Sequence, residues 1–145
     1  MQKKIKRILN KISIMMGIDM PRIIFNTDNS FYTDDVIHLK MYDDFNKTLF
    51  LALHELRHHY QFIYIKNNND YISNLLKYEM ENYKYLDYKN LYMEMDAYYF
   101  SLYVLNNILM IDYEIDNILL DMILKYISEY TFIFGGLYGR CQKNR

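Results

Sequence analysis

The stretch Phe45 to Ile63, FNKTLFLALHELRHHYQFI, decides how this chain reads. Phe45, Leu49, Ala52, Leu56 and Ile63 recur at helical spacing and make a core stripe, while Asp43, Asp44 and Asn46 place capping and dipole-favoured groups near its start. Leu51, His54, Glu55, His58 and Phe62 fall on the neighbouring stripe, so a polar triplet is set into an otherwise apolar surface. His54, Glu55 and His58 spell H-E-x-x-H. On a helix, positions i and i+4 lie one turn apart on the same face, so two imidazoles can reach one metal ion while Glu55, rotated toward the same side, reaches a water beside it.

The chemistry explains the residue types. Zinc takes neutral imidazole nitrogens, and a catalytic zinc site keeps one position open by using three protein ligands. The ion lowers the pKa of water there to about 7, and an adjacent carboxylate takes the proton as a carbonyl is attacked. Glu55 fits that base. The competing reading is an exposed polar helix face that happens to carry two histidines.

A third ligand is expected from a later helix, and Tyr92 to Phe100, YMEMDAYYF, offers it. Glu94, Ala97, Tyr98 and Ser101 share one helix face, which puts a carboxylate beside a small residue that lets the two helices approach closely. Asp96 lies about 200° around the axis from Glu94, so the two cannot both point at one metal. Asp96 is expected to hydrogen-bond around the ligands, where such groups orient them.

The combination of H-E-L-R-H-x-x-Q, His54 to Gln61, with a later E-x-D-A-x-x-F, Glu94 to Phe100, resembles the small gluzincin-type metallopeptidases that include the ImmA/IrrE-like proteins, and looks closest to the short forms carried by phages and mobile elements. The resemblance implies a minimal zincin domain in which His54, His58 and Glu94 bind zinc and Glu55 is the general base. It also implies a small sheet beside the active-site helix whose edge strand binds an extended protein or peptide substrate, in some relatives a repressor. The chain departs from the pattern at Tyr98, where an Asn or Asp often follows the alanine. Arg57 and Gln61 match the short forms and stand at i, i+4 on the His58 side. Arg57 is read as pairing with Asp96 or another acid and locking the helices together, or as solvated; an Arg fork suits a carboxylate. His59 points about 100° away from His58 and reads as a rim or surface residue.

Composition bounds the rest. A length of 145 residues suits one domain with a single core, and 52% hydrophobic residues with a net charge of −1 suit a globular fold and not a polybasic nucleic-acid binder. The seventeen tyrosines come without the basic groove that a base-stacking platform carries, so no nucleic-acid partner is expected. The single cysteine, Cys141, suits a reducing compartment. Polar residues interrupt the N-terminal segment and the apolar runs near Leu102 to Met110 and Ile115 to Leu124, well short of the roughly 20 residues that cross a bilayer. A soluble, cytoplasmic protein without membrane contact is the expectation.

Along the chain, Ile5, Ile8, Leu9, Ile12, Met15 and Met16 predict an amphipathic helix with a basic outer face, ended by Gly17. Arg22 to Thr27 and Asp35 to Met41 read as two strands of a small antiparallel sheet, with Val36 to Lys40 as its edge and His38 a strand histidine of no special role. Helices follow over Phe45 to Ile63, Tyr71 to about Tyr83 with Asp70 as N-cap, Asn90 to about Asn107, and Asp112 to about Tyr130. The whole is an α+β fold dominated by helix. The oxyanion-stabilising group is sought in Tyr98 or Tyr138. Two rivals to a peptidase stand: a catalytically silent zinc-binding domain acting as an interaction module, and a metal-free interaction protein.

Overall fold

The periodicities of the sequence become helices in a computed structural model that describes residues 1–126. Helix α1 (Gln2–Met16) buries Ile5, Leu9, Ile12 and Met16 and turns its lysines outward. Gly17 closes it in the left-handed region, φ 74°, where a Cβ would be strained.

A small sheet follows, with strands β1 (Arg22–Phe25), β2 (Phe31–Thr33) and β3 (Val36–Leu39). Here the expected antiparallel pair is corrected. β1 lies parallel to β3, with Ile23 opposite Ile37 and Phe25 opposite Leu39, and β2 pairs antiparallel with the other side of β3. The order is β1-β3-β2, so β3 is the central strand and β2 an edge. The cause is local: Asp34 and Asp35 both take left-handed φ, 51° and 63°, which makes the two-residue hairpin turn whose twist suits antiparallel strands. That turn draws Phe31–Thr33 into the sheet from what reads as loop. β3 alternates, with Ile37 and Leu39 buried and His38 on the other face, its ring stacked 4.2 Å from Phe31.

Helix α2 (Phe45–Asn67) starts at Asp44, whose carboxylate accepts the backbone N–H groups of Asn46 and Lys47. Helix α3 (Tyr71–Glu81) starts at Asp70, which forms a capping box with Ser73. Two 3₁₀ turns, Tyr83–Tyr85 and Tyr88–Asn90, lead into α4 (Tyr92–Tyr103), which runs on as a π-helical turn, Val104–Ile108. Helix α5 is described over 117–126, and not from 112: Asp116 caps it, its carboxylate accepting the N–H of Leu119 at 2.9 Å. The core forms where α1, β3, α2 and α4 meet, on Leu9, Ile12, Leu39, Leu49, Ala52, Leu56, Phe100 and Val104. The fold is mostly helical α+β, with a mixed three-stranded sheet. Among the described residues no helix is long and apolar enough to cross a membrane. Tyr138, Cys141 and the C-terminal glycines lie outside them.

Candidate metal centre

α2 and α4 pack against each other with Ala97 of α4 fully buried, a small side chain that allows close approach. The consequence is that His54 and His58, one turn apart on α2, meet Glu94 in the first turn of α4. Glu94 Oε1 lies 2.9 Å from His54 Nε2 and 2.9 Å from His58 Nε2, and the two nitrogens are 3.1 Å apart. Among the described residues this is the group of His, Cys, Asp and Glu placed to hold a metal ion. The donor set fits zinc: two imidazole nitrogens and a carboxylate oxygen, spaced near the roughly 3.3 Å edge that bonds of about 2.0 Å impose on a tetrahedral shell. Glu55, also buried, stands beside them with Oε1 3.9 Å from His54 Nε2.

These ionisable groups perturb one another. Burial pushes Glu94 up, but hydrogen bonds from His54 and His58 and their charge win and hold it well below the usual carboxylate range. Burial pushes His58 down, yet the Glu94 and Glu55 carboxylates raise it to about 9. Glu55 goes up, chiefly through burial, with the two histidines opposing and Glu94 adding to the rise. A buried carboxylate with a raised pKa next to a ligand cluster is how general bases are tuned toward neutrality.

The groups around the ligands are tied together. Gln61 Oε1 accepts the Nδ1–H of His58 at 2.8 Å, and its amide donates to Asp96 Oδ2 at 2.8 Å and to the Met93 carbonyl at 2.9 Å. Asp96 in turn receives Arg57 Nε at 2.7 Å and Nη2 at 3.3 Å. The Arg57 guanidinium, wholly buried, lies between the rings of Tyr60 and Phe100 at 4.6 and 4.8 Å. The pairing of Arg57 with Asp96 is therefore the arrangement the chain adopts, and Asp96 stands behind His58 and away from the ligand cluster.

Of the remaining groups, Tyr98 was singled out in the sequence, while Tyr83, Tyr88 and Glu79 had no clear mark there. Tyr83, on the first 3₁₀ turn, donates its hydroxyl to Glu94 Oε2 at 2.9 Å. The Tyr98 ring lies 4.1 Å from the His54 ring, and its hydroxyl is 2.8 Å from that of Tyr88, a bond that uses one of the two hydroxyl protons. Glu79 of α3 accepts the N–H groups of Tyr92 and Met93, each at 2.8 Å, and so caps α4 from outside. Its signal was negative: Leu91 stands at the cap position of α4 and offers no side-chain acceptor. His59 is corrected: it is buried, with Nε2–H donating to the Asp19 carbonyl at 3.2 Å and Nδ1 2.8 Å from the Tyr32 hydroxyl. It packs under the sheet because β2 brings Tyr32 down onto α2.

A cavity of about 480 Å³ opens over the cluster, with His54, Glu55, His58 and Glu94 in its wall. Ser30 and, from β2, Phe31 and Tyr32 line it, and Leu51, Phe62, Leu76, Met80 and Met93 make the rest largely apolar. Among the described residues no lysine, arginine or aspartate lines it. Against known protein families, curated proteins and solved structures, the chain has no match.

Proposed function

We propose that this protein is a zinc-dependent metallopeptidase in which His54, His58 and Glu94 hold the ion and Glu55 is the general base. The observation that carries this reading is the convergence of His54 Nε2, His58 Nε2 and Glu94 Oε1 within 2.9 to 3.1 Å at a cavity wall that Glu55 shares. A zinc ion there supplies Lewis acidity, polarising a carbonyl and bringing the pKa of water toward neutrality. Glu55 takes the proton from the attacking water and hands it to the departing amine, a task its raised pKa suits. Gln61 holds His58 with Nδ1 protonated and Nε2 toward the cluster. The second hydroxyl proton of the Tyr88–Tyr98 pair, at the same wall, is the donor for developing negative charge.

The substrate class follows from the cavity. β2 pairs only with β3 among the described strands, so its other edge is open for an extended peptide to add by main-chain hydrogen bonds. β2 takes this role in place of Val36 to Lys40, because Val36, Ile37 and His38 are paired by β1 on one side and β2 on the other. The apolar wall favours apolar side chains over acidic ones, since a carboxylate loses hydration there beside Glu55 and Glu94 and meets no lysine or arginine among the described lining residues.

Metal analysis and a single substitution test the reading. The purified protein is expected to carry about one zinc per chain, and Glu94→Ala to lower its metal affinity at least about tenfold. Glu55→Gln keeps volume and zinc but cannot accept the proton, so cleavage of an unstructured protein falls on the order of 10² or more. A Glu55→Gln variant that cleaves as fast as wild type refutes the mechanism. A zinc-loaded but inactive wild type refutes the enzyme and leaves a zinc-binding interaction module.

A further inference from the structure

Each of the three candidate ligands has its own support. Gln61, from α2 itself, holds His58, and the Tyr98 ring of α4 lies against His54. Glu94 receives its support from outside both helices. Its Oε1 faces the two imidazole nitrogens, and its Oε2 accepts the Tyr83 hydroxyl at 2.9 Å. We propose that Tyr83 is a positioning residue for the metal site: its hydroxyl occupies Glu94 Oε2 and leaves Oε1 as the single carboxylate oxygen offered to the ion.

The proposal rests on the metallopeptidase reading and extends it to the 3₁₀ turn Tyr83–Tyr85. A carboxylate can bind a metal through one oxygen or both, and the two modes differ in coordination number. A hydrogen bond to one oxygen occupies one of its two lone pairs, draws off its charge and fixes the plane of the carboxylate, all of which favour binding through the other oxygen. At this site the distinction matters for the open coordination position, because a second Glu94 oxygen would add a ligand and crowd the place kept for water or substrate. Tyr83 is suited to the task by its location. Its ring is held edge-on against Tyr88, centroids 6.4 Å apart, and Tyr88 in turn meets Tyr98, so the aromatic chain that reaches Glu94 also reaches the ring beside His54. The ring remains 41% exposed at the cavity mouth, which makes it a poor core residue and argues against a purely packing role. Tyr85, two positions on, is 75% exposed and serves as the internal control.

The test uses the full chain stripped of metal and titrated with zinc and with cobalt(II), whose visible absorption reports coordination number. Tyr83→Phe removes the hydroxyl and keeps the ring, so the metal-free protein should melt as wild type does. Zinc affinity should fall about tenfold to a hundredfold, the range for groups that orient ligands, and the cobalt(II) absorption should weaken as four-coordinate sites gain a fifth oxygen. Tyr85→Phe should leave affinity and spectrum unchanged. Wild-type affinity and an unchanged cobalt(II) spectrum in Tyr83→Phe overturn the proposal and leave the metallopeptidase reading intact. A wild type that takes up neither ion overturns both.

Discussion

Asp96→Ala should unfold much of the support for the site, and its cost can be worked from the geometry. Asp96 is wholly buried and receives Arg57 Nε at 2.7 Å, Arg57 Nη2 at 3.3 Å, Gln61 Nε2 at 2.8 Å and the Tyr126 hydroxyl at 3.4 Å. Removing it leaves the Arg57 guanidinium charged between two aromatic rings with its carboxylate gone. Breaking one side of a buried pair costs about 3–5 kcal/mol, because the remaining charge stays desolvated. For a chain of this size that is a melting-point loss of roughly 10–20 °C. The assay is urea unfolding of the metal-stripped protein, so that metal binding adds nothing to either state. Arg57→Met combined with Asp96→Leu replaces the pair by apolar groups and should recover most of the loss. Zinc affinity of that double variant should stay lowered, on the order of tenfold, since Gln61 keeps only the Met93 carbonyl to anchor it against His58. A single Asp96→Ala cost below about 1 kcal/mol, or a double variant no more stable than the single one, would refute the reasoning.

Three further outcomes are expected. In the metal-free protein, His58 has its pKa raised from 6.5 to about 9, so its stabilisation is complete below 6.5 and lost as pH rises through about 9; the depressed Glu94 contributes above its ordinary 4.5 and is lost as pH falls. Urea midpoints of the stripped protein should therefore decline from pH 6.5 to 9, while zinc affinity climbs as the His58 proton becomes easier to displace; a midpoint that rises over this range contradicts the assignment. Glu79→Ala should destabilise by about 1–2 kcal/mol through loss of the α4 cap, and chemical shifts of the Tyr92 and Met93 amides should move; unaltered amides would show that α4 needs no such cap. Replacing an apolar residue next to the cleaved bond of a peptide by Asp should lower kcat/KM at least about tenfold, and equal turnover would mean that the apolar wall is not a subsite.

What the sequence determined by itself was whatever depends on spacing along one helix or on a single cap. The 3.6-residue period of α2 set His54, Glu55 and His58 on one face without help from the rest of the chain, and Asp44, Asp70 and Gly17 ended their elements through bonds to residues a few positions away. Glu94 was legible for the same reason, one carboxylate and one small residue on a helix face, whereas for Arg57 the sequence left Asp96, another acid or solvent as partners and the packing of α2 on α4 selected Asp96. The tertiary structure decided what comes from groups remote in sequence. The order β1-β3-β2 depends on the turn at Asp34 and Asp35, whose left-handed backbone lacks the glycine that would mark it, and on β2, whose three residues are too few to show a period of two. His59 is buried where β2 lays Tyr32 over α2 and the Asp19 carbonyl meets its other nitrogen. Tyr83 and Glu79 reach α4 from a 3₁₀ turn and from α3, and among seventeen tyrosines no local pattern distinguishes the one that meets Glu94. Periodicity sets which face of an element looks inward; which remote side chain completes its hydrogen bonds depends on how the elements pack, since a buried donor or acceptor is satisfied by whatever partner the fold brings within reach.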